Sequence, residues 1–371
     1  GLGIPLQVYR IDAARGRGES LEAAARRARY AALAAMLDAG EVVLTAHHRR
    51  DQAETLMLQL LRGAGPAGLA AMPECAPLGP GRLVRPLLSV DPHDLRAYLR
   101  ARGIEWSEDA SNADVRFDRN YLRHVIFPTL AARWPGVERT LARAAAHQAD
   151  SAEIAAALAE IDLAGARGPV PGTLAVEALE RLSSARARNL LRAWLSECAL
   201  PSAGARHLED ILEQALAARV DAEPLVNWPG AEVRRYARLL YASPPLPLHD
   251  ASTAMAWNPD EPLELPLGRL DAQVCAGQGL RVERCRGARL EVRFRRGGER
   301  LRPAGSRHST ALKKLLQARE VPPWLRDRIP LIHVDGELAA VAGLCVAHDY
   351  AAHDSEAGWV VQWTGWPAPA D

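Results

Sequence analysis

The stretch Thr45-Ala46-His47-His48-Arg49-Arg50-Asp51-Gln52-Ala53-Glu54-Thr55 marks a passage from strand to helix. Just before and into it, Glu41-Val42-Val43-Leu44-Thr45-Ala46 has the length and apolar character of a short, largely buried strand of a parallel sheet. Beyond it, Asp51 to Leu61 predicts a helix with acid in its first turn and Arg62-Gly63 at its end. Upstream, Ser20 to Leu37 predicts another helix. Ser20 serves as its cap, Leu21, Ala24, Ala25, Ala28, Ala32 and Met36 lie on one side, and Gly40 ends it. Leu6 to Ile11 alternates like one more strand. Helix, strand, loop, helix is the rhythm of an open α/β sheet, which binds ligands at the carboxyl ends of its strands. His47, His48, Asp51 and Glu54 fall at such an end.

Asp51 and Glu54 are three residues apart and share a helix face. Two carboxylates there could hold an ammonium group or a metal ion. The same acids also suit a helix N-terminus, worth about 0.3–1 kcal/mol each, and spacing alone leaves both readings open. Adjacent histidines such as His47 and His48 usually point apart, and the H-E-x-x-H pattern is missing, so the metal ligands stay unknown.

Farther along, Gly63 to Pro92 reads as loop, Asp94 to Arg102 as a short helix and Trp106 to Arg119 as a polar loop. Asn120 to Ala164 and Leu174 to Ala218 are mostly helical, and Ser243-Pro244-Pro245-Leu246-Pro247 is a linker. Strands at Leu290–Phe294 and Leu338–Ala342 flank a helix, Ala311 to Arg319. The fold expected is α/β: a partial parallel-sheet domain over 1–135, a helical domain over 136–245 and a small α+β domain over 255–371.

A hydrophobic fraction of 48% and a charged fraction of 25% fit an ordinary globular protein. No apolar run approaches the roughly 18 residues a membrane span needs, and Gly1-Leu2-Gly3-Ile4-Pro5-Leu6 lacks the form of a secretory signal. The five cysteines make no C-x-x-C pair, which argues against a disulfide framework or zinc knuckle and for a cytoplasmic setting. Net charge is only +1, yet about fifteen basic residues face about five acidic ones between Arg281 and Arg328, a candidate nucleic-acid footprint. Lys313 and Lys314 are the only lysines in this arginine-rich chain.

Taken in order, several segments resemble one family. Thr45–Thr55 is followed by Leu61-Arg62-Gly63-Ala64-Gly65-Pro66-Ala67-Gly68-Leu69, and preceded by Glu22-Ala23-Ala24-Ala25-Arg26-Arg27-Ala28-Arg29-Tyr30. Trp106-Ser107-Glu108-Asp109-Ala110-Ser111-Asn112 comes next, then Asp118-Arg119-Asn120-Tyr121-Leu122-Arg123. Lys313-Lys314-Leu315-Leu316 and Val321-Pro322-Pro323-Trp324-Leu325-Arg326-Asp327 complete the set. This ordered set resembles the tRNA(Ile)-lysidine synthetases, a family of N-type ATP pyrophosphatases. The resemblance implies a two-step ligase using ATP and Mg2+. The oxygen on carbon 2 of the wobble cytidine of tRNA(Ile) is adenylated, and the amine of free L-lysine displaces AMP to leave lysidine. It assigns lysine recognition and activation to Asp51 and Glu54. It places His48, Arg62 and Arg119 near ATP or the adenylate, and assigns Arg123, Lys313, Lys314 and Arg326 to the tRNA. It also leaves a homodimer open.

Two features depart from the family pattern. The family's Ser-Gly-Gly-x-Asp-Ser loop, whose backbone N–H groups cradle pyrophosphate, has no counterpart among these 371 residues. The expectation is a catalytic domain shortened at its start, inactive in lysidine synthesis as written, with a non-catalytic tRNA-binding fragment as the alternative. Arg50 also stands where the family usually carries an acid. Paired cysteines of the related sulfur-transferring class are missing.

Overall fold

The computed structural model describes residues 5–14, 21–107, 109–217 and 223–364. The chain separates into two compact units, divided between Ala155 and Ala156.

In the first unit, helix α1 (Leu21–Ala35) leads to strand β1 (Val42–Leu44) and helix α2 (Arg49–Leu61). Ser20, the expected cap of α1, lies outside the described residues. A single turn, α3 (Pro66–Leu69), precedes a hairpin of β2 (Cys75–Leu78) and β3 (Gly81–Val84). The expected loop from Gly63 to Pro92 therefore contains two strands. β3 lies at the centre of a three-stranded sheet, parallel to β1 and antiparallel to β2. Two glycines allow the close approach: a Cβ on Gly79, at φ +54°, would meet the Ala34 carbonyl oxygen at 2.8 Å, and one on Gly81 would meet that of Glu41 at 2.5 Å.

β1 was expected to be buried. It is an edge strand instead, and Leu44 is 66% exposed. Leu6–Ile11 is not a strand: it makes no ladder with another strand among the described residues, and its Leu6 and Val8 side chains face solvent. Alternation without a partner supplies no sheet hydrogen bonds to hold it.

The unit continues through α4 (Pro92–Ala101), capped by the Asp91 carboxylate accepting from the His93 N–H. Then come α5 (Asp118–Tyr121), a π-helical turn (Leu122–Ile126), α6 (Phe127–Arg133) and the first part of the long α7 (Val137–Ala166), within which the division falls. Ala53 of α2, Leu122 and Phe127 form a small buried core there.

The second unit carries two apolar cores. The first surrounds α8 (Val176–Glu180), α9 (Ser184–Glu197) and α10 (Ala205–Ala217), with Leu190, Leu191 and Trp194 buried. This helical part also holds an antiparallel sheet whose longest strands are Ala231–Tyr236 and Leu239–Ser243. The other core fills a mixed α+β region. There Arg269–Ala276 pairs along its length with Ala357–Thr364, and Leu331–Val334 lies between Leu290–Arg293 and Glu337–Val341. The helix expected at Ala311–Arg319 is present as Leu312–Ala318. No helix among the described residues is long and apolar enough to cross a membrane.

One buried polar side chain ties α2 to the segment that leads into β2. The Gln52 amide donates to the Met72 carbonyl at 2.9 Å, and its oxygen accepts the Met72 N–H at 3.0 Å. Replacing it by leucine leaves both backbone groups of Met72 without these partners, and an unmade buried hydrogen bond costs about 1–3 kcal/mol. Gln52→Leu is expected to lower unfolding free energy by roughly 2 kcal/mol in urea denaturation.

Candidate active site

β1 and β3 run parallel, so their carboxyl ends meet at one edge, with the Thr45 N–H bonded to the Val84 carbonyl at 3.0 Å. The chain leaves β1 through His47 and enters α2 at His48, the N-cap, whose backbone N–H donates to Asp51 Oδ2 at 2.9 Å. One wall of the turn is thus fixed by an acid that also has a second task.

That task is an ion-pair cluster. Arg123, in the π-helical turn, donates from Nε to Glu54 Oε1 at 2.8 Å and from Nη2 to Glu54 Oε2 at 3.0 Å. The same Nη2 reaches Asp51 Oδ1 at 3.3 Å. Asp51 and Glu54 therefore share one cation, as their spacing on one helix face allows. Glu54 is completely buried, and Arg119 Nε lies 4.0 Å from it while Arg119 Nη2 donates to Thr55 Oγ1 at 3.3 Å. Burial pushes the Glu54 carboxyl above its ordinary range, and the Arg123 hydrogen bonds oppose that rise.

Beside the cluster opens a cleft of about 470 Å³ lined by Arg26, Arg29, Tyr30, His47, Arg119 and Arg123, among others. Asp51 and Glu54 do not line it; they are connected to it through Arg123. Burial, reinforced by the arginines around it, lowers the pKa of His47, whose Nδ1 lies 2.9 Å from Thr45 Oγ1. Burial lowers that of His48 as well, although its Nδ1 is 3.2 Å from Asp51 Oδ2. The concentration of guanidinium groups suits phosphate oxygens, which match their fork. Among the described residues no group of three or more His, Cys, Asp or Glu side chains is placed to hold a metal ion.

Other residues singled out from the sequence lie elsewhere. Arg62 caps the far end of α2, exposed, eleven positions or roughly 16 Å along the axis from Asp51. Arg50 points away from the acidic pair and bonds Glu138 at the start of α7, 2.7 Å distant. In the second unit Lys313 and Lys314 are exposed on their helix. Arg326 instead is engaged internally, donating to the Val321 carbonyl and to the Tyr236 hydroxyl, both at 2.8 Å. Much of the basic tract is paired in the same way: Arg281 with Glu356, Arg289 and Arg293 with Glu291, Arg295 with Asp327, Arg302 with Asp349. A residue that sequence reading passed over, Arg85, ends β3 and is buried. Its only local signal was a charge closing the short run Leu83-Val84 before Pro86.

A parallel strand pair whose ends meet an arginine-lined cleft defines a nucleotide-binding α/β protein, and residues 1–130 match the PP-loop domain model. Residues 174–241 match the TilS substrate binding domain and 290–363 the TilS substrate C-terminal domain. The tRNA(Ile)-lysidine synthase of Methylococcus capsulatus is 45% identical over 98% of this chain and 83% of its own length. Those of Coxiella burnetii and Pseudomonas aeruginosa are 41% and 44% identical over 97% and 98% of this chain, and 80% of each relative. The chain belongs to the tRNA(Ile)-lysidine synthase family. A solved structure titled "Crystal structure of TILS C-terminal domain" aligns with 30% of this chain and 98% of its own, at a TM-score of 0.26 and 19% identity. Nothing in these matches supports the reading of an inactive or non-catalytic fragment.

Removing Arg123 would leave Glu54 buried without its principal cation, a change that typically costs about 3–5 kcal/mol. Arg123→Met is expected to destabilise the protein by about 3 kcal/mol at neutral pH. Without the cation, the folded-state pKa of Glu54 rises further above its ordinary 4.5. A raised folded pKa gives stability that is complete below the unfolded value and fades as pH climbs through the folded one. Urea midpoints of Arg123→Met should therefore fall more steeply than those of the parent as pH rises from 4.5 to 7.

Proposed function

We propose that this protein joins free L-lysine to carbon 2 of the wobble cytidine of tRNA(Ile) with a CAU anticodon. ATP is consumed to AMP and pyrophosphate through an adenylated cytidine, and lysidine is the product. The observation that carries this reading is the contact between a two-carboxylate cation holder and an arginine-lined cleft at the carboxyl ends of parallel strands. The reaction must bring together one small cation and two polyanions, and these are the two kinds of binding surface present.

Asp51 and Glu54 recognise the lysine ammonium. In the free protein Arg123 is the cation between them, so lysine enters by sharing or displacing that guanidinium. The amine must lose a proton before it attacks. Glu54, whose carboxyl burial holds above its ordinary range, is suited to accept it. Arg26, Arg29 and Arg119 bind phosphate oxygens of ATP, and His48, whose protonation burial disfavours, stands 3.2 Å from Asp51 next to them. Arg62 is too far along α2 to share in the cluster and takes no step here. Mg2+ would be carried chiefly on the phosphate oxygens of ATP, where it screens their charge.

The three parts at 1–135, 136–245 and 255–371 divide the work into catalysis, substrate docking and tRNA capture, in a cytoplasmic protein. In the last part Lys313 and Lys314 meet the RNA backbone, and Arg326 braces the segment behind them against Tyr236. Contacts of this kind set register without reading bases.

Asp51→Asn and Glu54→Gln in the intact protein should each lower lysine-dependent lysidine formation at least a hundredfold. Pyrophosphate exchange into ATP in the presence of tRNA should stay within a few-fold of the parent. Equal loss of both activities would remove the acidic pair from the lysine step. Lys313→Ala with Lys314→Ala should weaken tRNA binding and reduce the slope of log K against log salt by roughly 1–2. An unchanged slope would place the RNA elsewhere.

A further inference from the structure

Arg85 is 5% exposed, and no carboxylate or aromatic ring among the described residues pairs with it. Its guanidinium makes one hydrogen bond, from Nη1 to the Pro73 carbonyl at 2.7 Å. Among the described residues Nε, which is buried, has no partner, and Nη2 makes no hydrogen bond. A charge taken out of water is costly unless paired, and buried arginines ordinarily have a carboxylate. Here the group is both buried and incomplete.

The unused atoms are the important detail. Nε and Nη2 form one edge of the guanidinium, with two parallel N–H bonds, the edge by which Arg123 grips Glu54. Such an edge matches the two oxygens of a carboxylate or phosphate. The opposite side is anchored. Pro73 follows Met72, which Gln52 of α2 clamps through both backbone groups, and the Arg85 N–H bonds the Glu74 carbonyl at 2.8 Å. The guanidinium is therefore held by its Nη1 side while its Nε/Nη2 edge has no partner among the described residues, half of a bidentate contact.

Its location suits a substrate. Arg85 follows Val84, the partner of Leu44 in the parallel ladder, so it stands at the carboxyl end of β3 next to Thr45. This is the edge at which open α/β sheets take ligands. Arg85 is also near enough to His47, which lines the cleft, to disfavour protonation of that imidazole.

We propose that Arg85 is a specificity-determining residue of this active site whose Nε/Nη2 edge is completed by a substrate oxyanion, either the α-carboxylate of the amino acid or a phosphate of ATP. The proposal rests on the ligase reading above. With the carboxylate as partner, it adds the anchor for the negative end of a substrate whose positive end is taken by Asp51 and Glu54. An amino acid held at both ends is distinguished from simple amines, which a pair of carboxylates alone cannot achieve.

The test is equilibrium binding by the intact protein, read independently of turnover. Titrations with ATP, L-lysine and cadaverine, which is lysine without its carboxylate, are compared among the parent, Arg85→Met, Arg85→Ala and Arg85→Lys. Arg85→Lys keeps the charge but loses the fork, so it reports on the site should Arg85→Met fail to fold. If the carboxylate is the partner, lysine binds at least tenfold more weakly to the variants, cadaverine is unaffected, and the parent's preference for lysine over cadaverine collapses. If a phosphate is the partner, ATP weakens at least tenfold and lysine does not. Guanidinium chloride at millimolar concentration should then partly restore the weakened ligand to Arg85→Ala. A folded variant that binds ATP and lysine within twofold of the parent overturns the proposal and leaves the ligase reading intact. A parent that binds neither ligand overturns both.

Discussion

Glu54 is a carboxylate with no exposure to solvent, and the first unit is arranged around that constraint. A buried charge must be neutralised or paired. Its partner, Arg123, comes from a segment 69 residues later in the chain, so pairing requires the helices after Asp118 to lie on α2. The π-helical turn at Leu122–Ile126 is where that arginine is presented; such turns are rare and concentrate at functional positions. Two more arginine–carboxylate links attach to the first turn of α2: Arg49 with Asp91 at 3.1 Å, ahead of α4, and Arg50 with Glu138 at 2.7 Å, at the start of α7. Three structural segments are thereby indexed to one helix end. Ion pairs of this sort contribute little net stability compared with apolar substitutes. Their value here is geometric, since each fixes a direction that a greasy contact would leave free. On this view Arg50, where the family usually has an acid, is a clamp on α7 and does not repel a cation from the acidic pair.

The same arrangement controls charge in the cleft. Arg26, Arg29, Arg119 and Arg123 line it, while burial lowers the pKa of both histidines. Neutral imidazoles are left next to permanent cations. That division leaves the histidines free to accept hydrogen bonds while the arginines supply the field that gathers polyanions.

How much of this was legible beforehand depended on range. α2, α4 and the helical middle follow from patterns within a dozen residues, and α2 begins within two positions of the expected place. Asp51 and Glu54 were legible as a pair because three-residue spacing on a helix is itself a contact rule. The β2–β3 hairpin was not, because Pro77 and three glycines or prolines at its turn look like loop and its pairing with β1 is a long-range event. Leu6–Ile11 failed the other way: a strand pattern has no meaning without a neighbour to bond it. The basic tract between Arg281 and Arg328 was legible only as a composition, not as a set of partners. Charge counts cannot register that Glu291 takes two of those arginines and Asp327 another. Arg286, Arg307, Lys313, Lys314 and Arg319 of the same tract are exposed.

Arginine is so common in this chain that its presence at a position carries little information; its pairing state carries much more. Arg123, Arg326 and Arg85 look alike in the sequence, each beside a short apolar run. Arg123 has two carboxylates, so its charge is answered within the fold. Arg326 has a carbonyl and a phenol, so it acts as a brace. Arg85 has one carbonyl and a buried edge without a partner, so its charge is unanswered among the described residues. Desolvating a guanidinium without a counter-anion works against folding, and the fold nonetheless holds it rigidly through Pro73. A ligand that supplies the missing anion would recover that cost on binding. Affinity gained in this way depends on the free protein being left incomplete, which is why the unanswered charge belongs at the ligand-binding edge of the sheet and not in the apolar cores of the second unit.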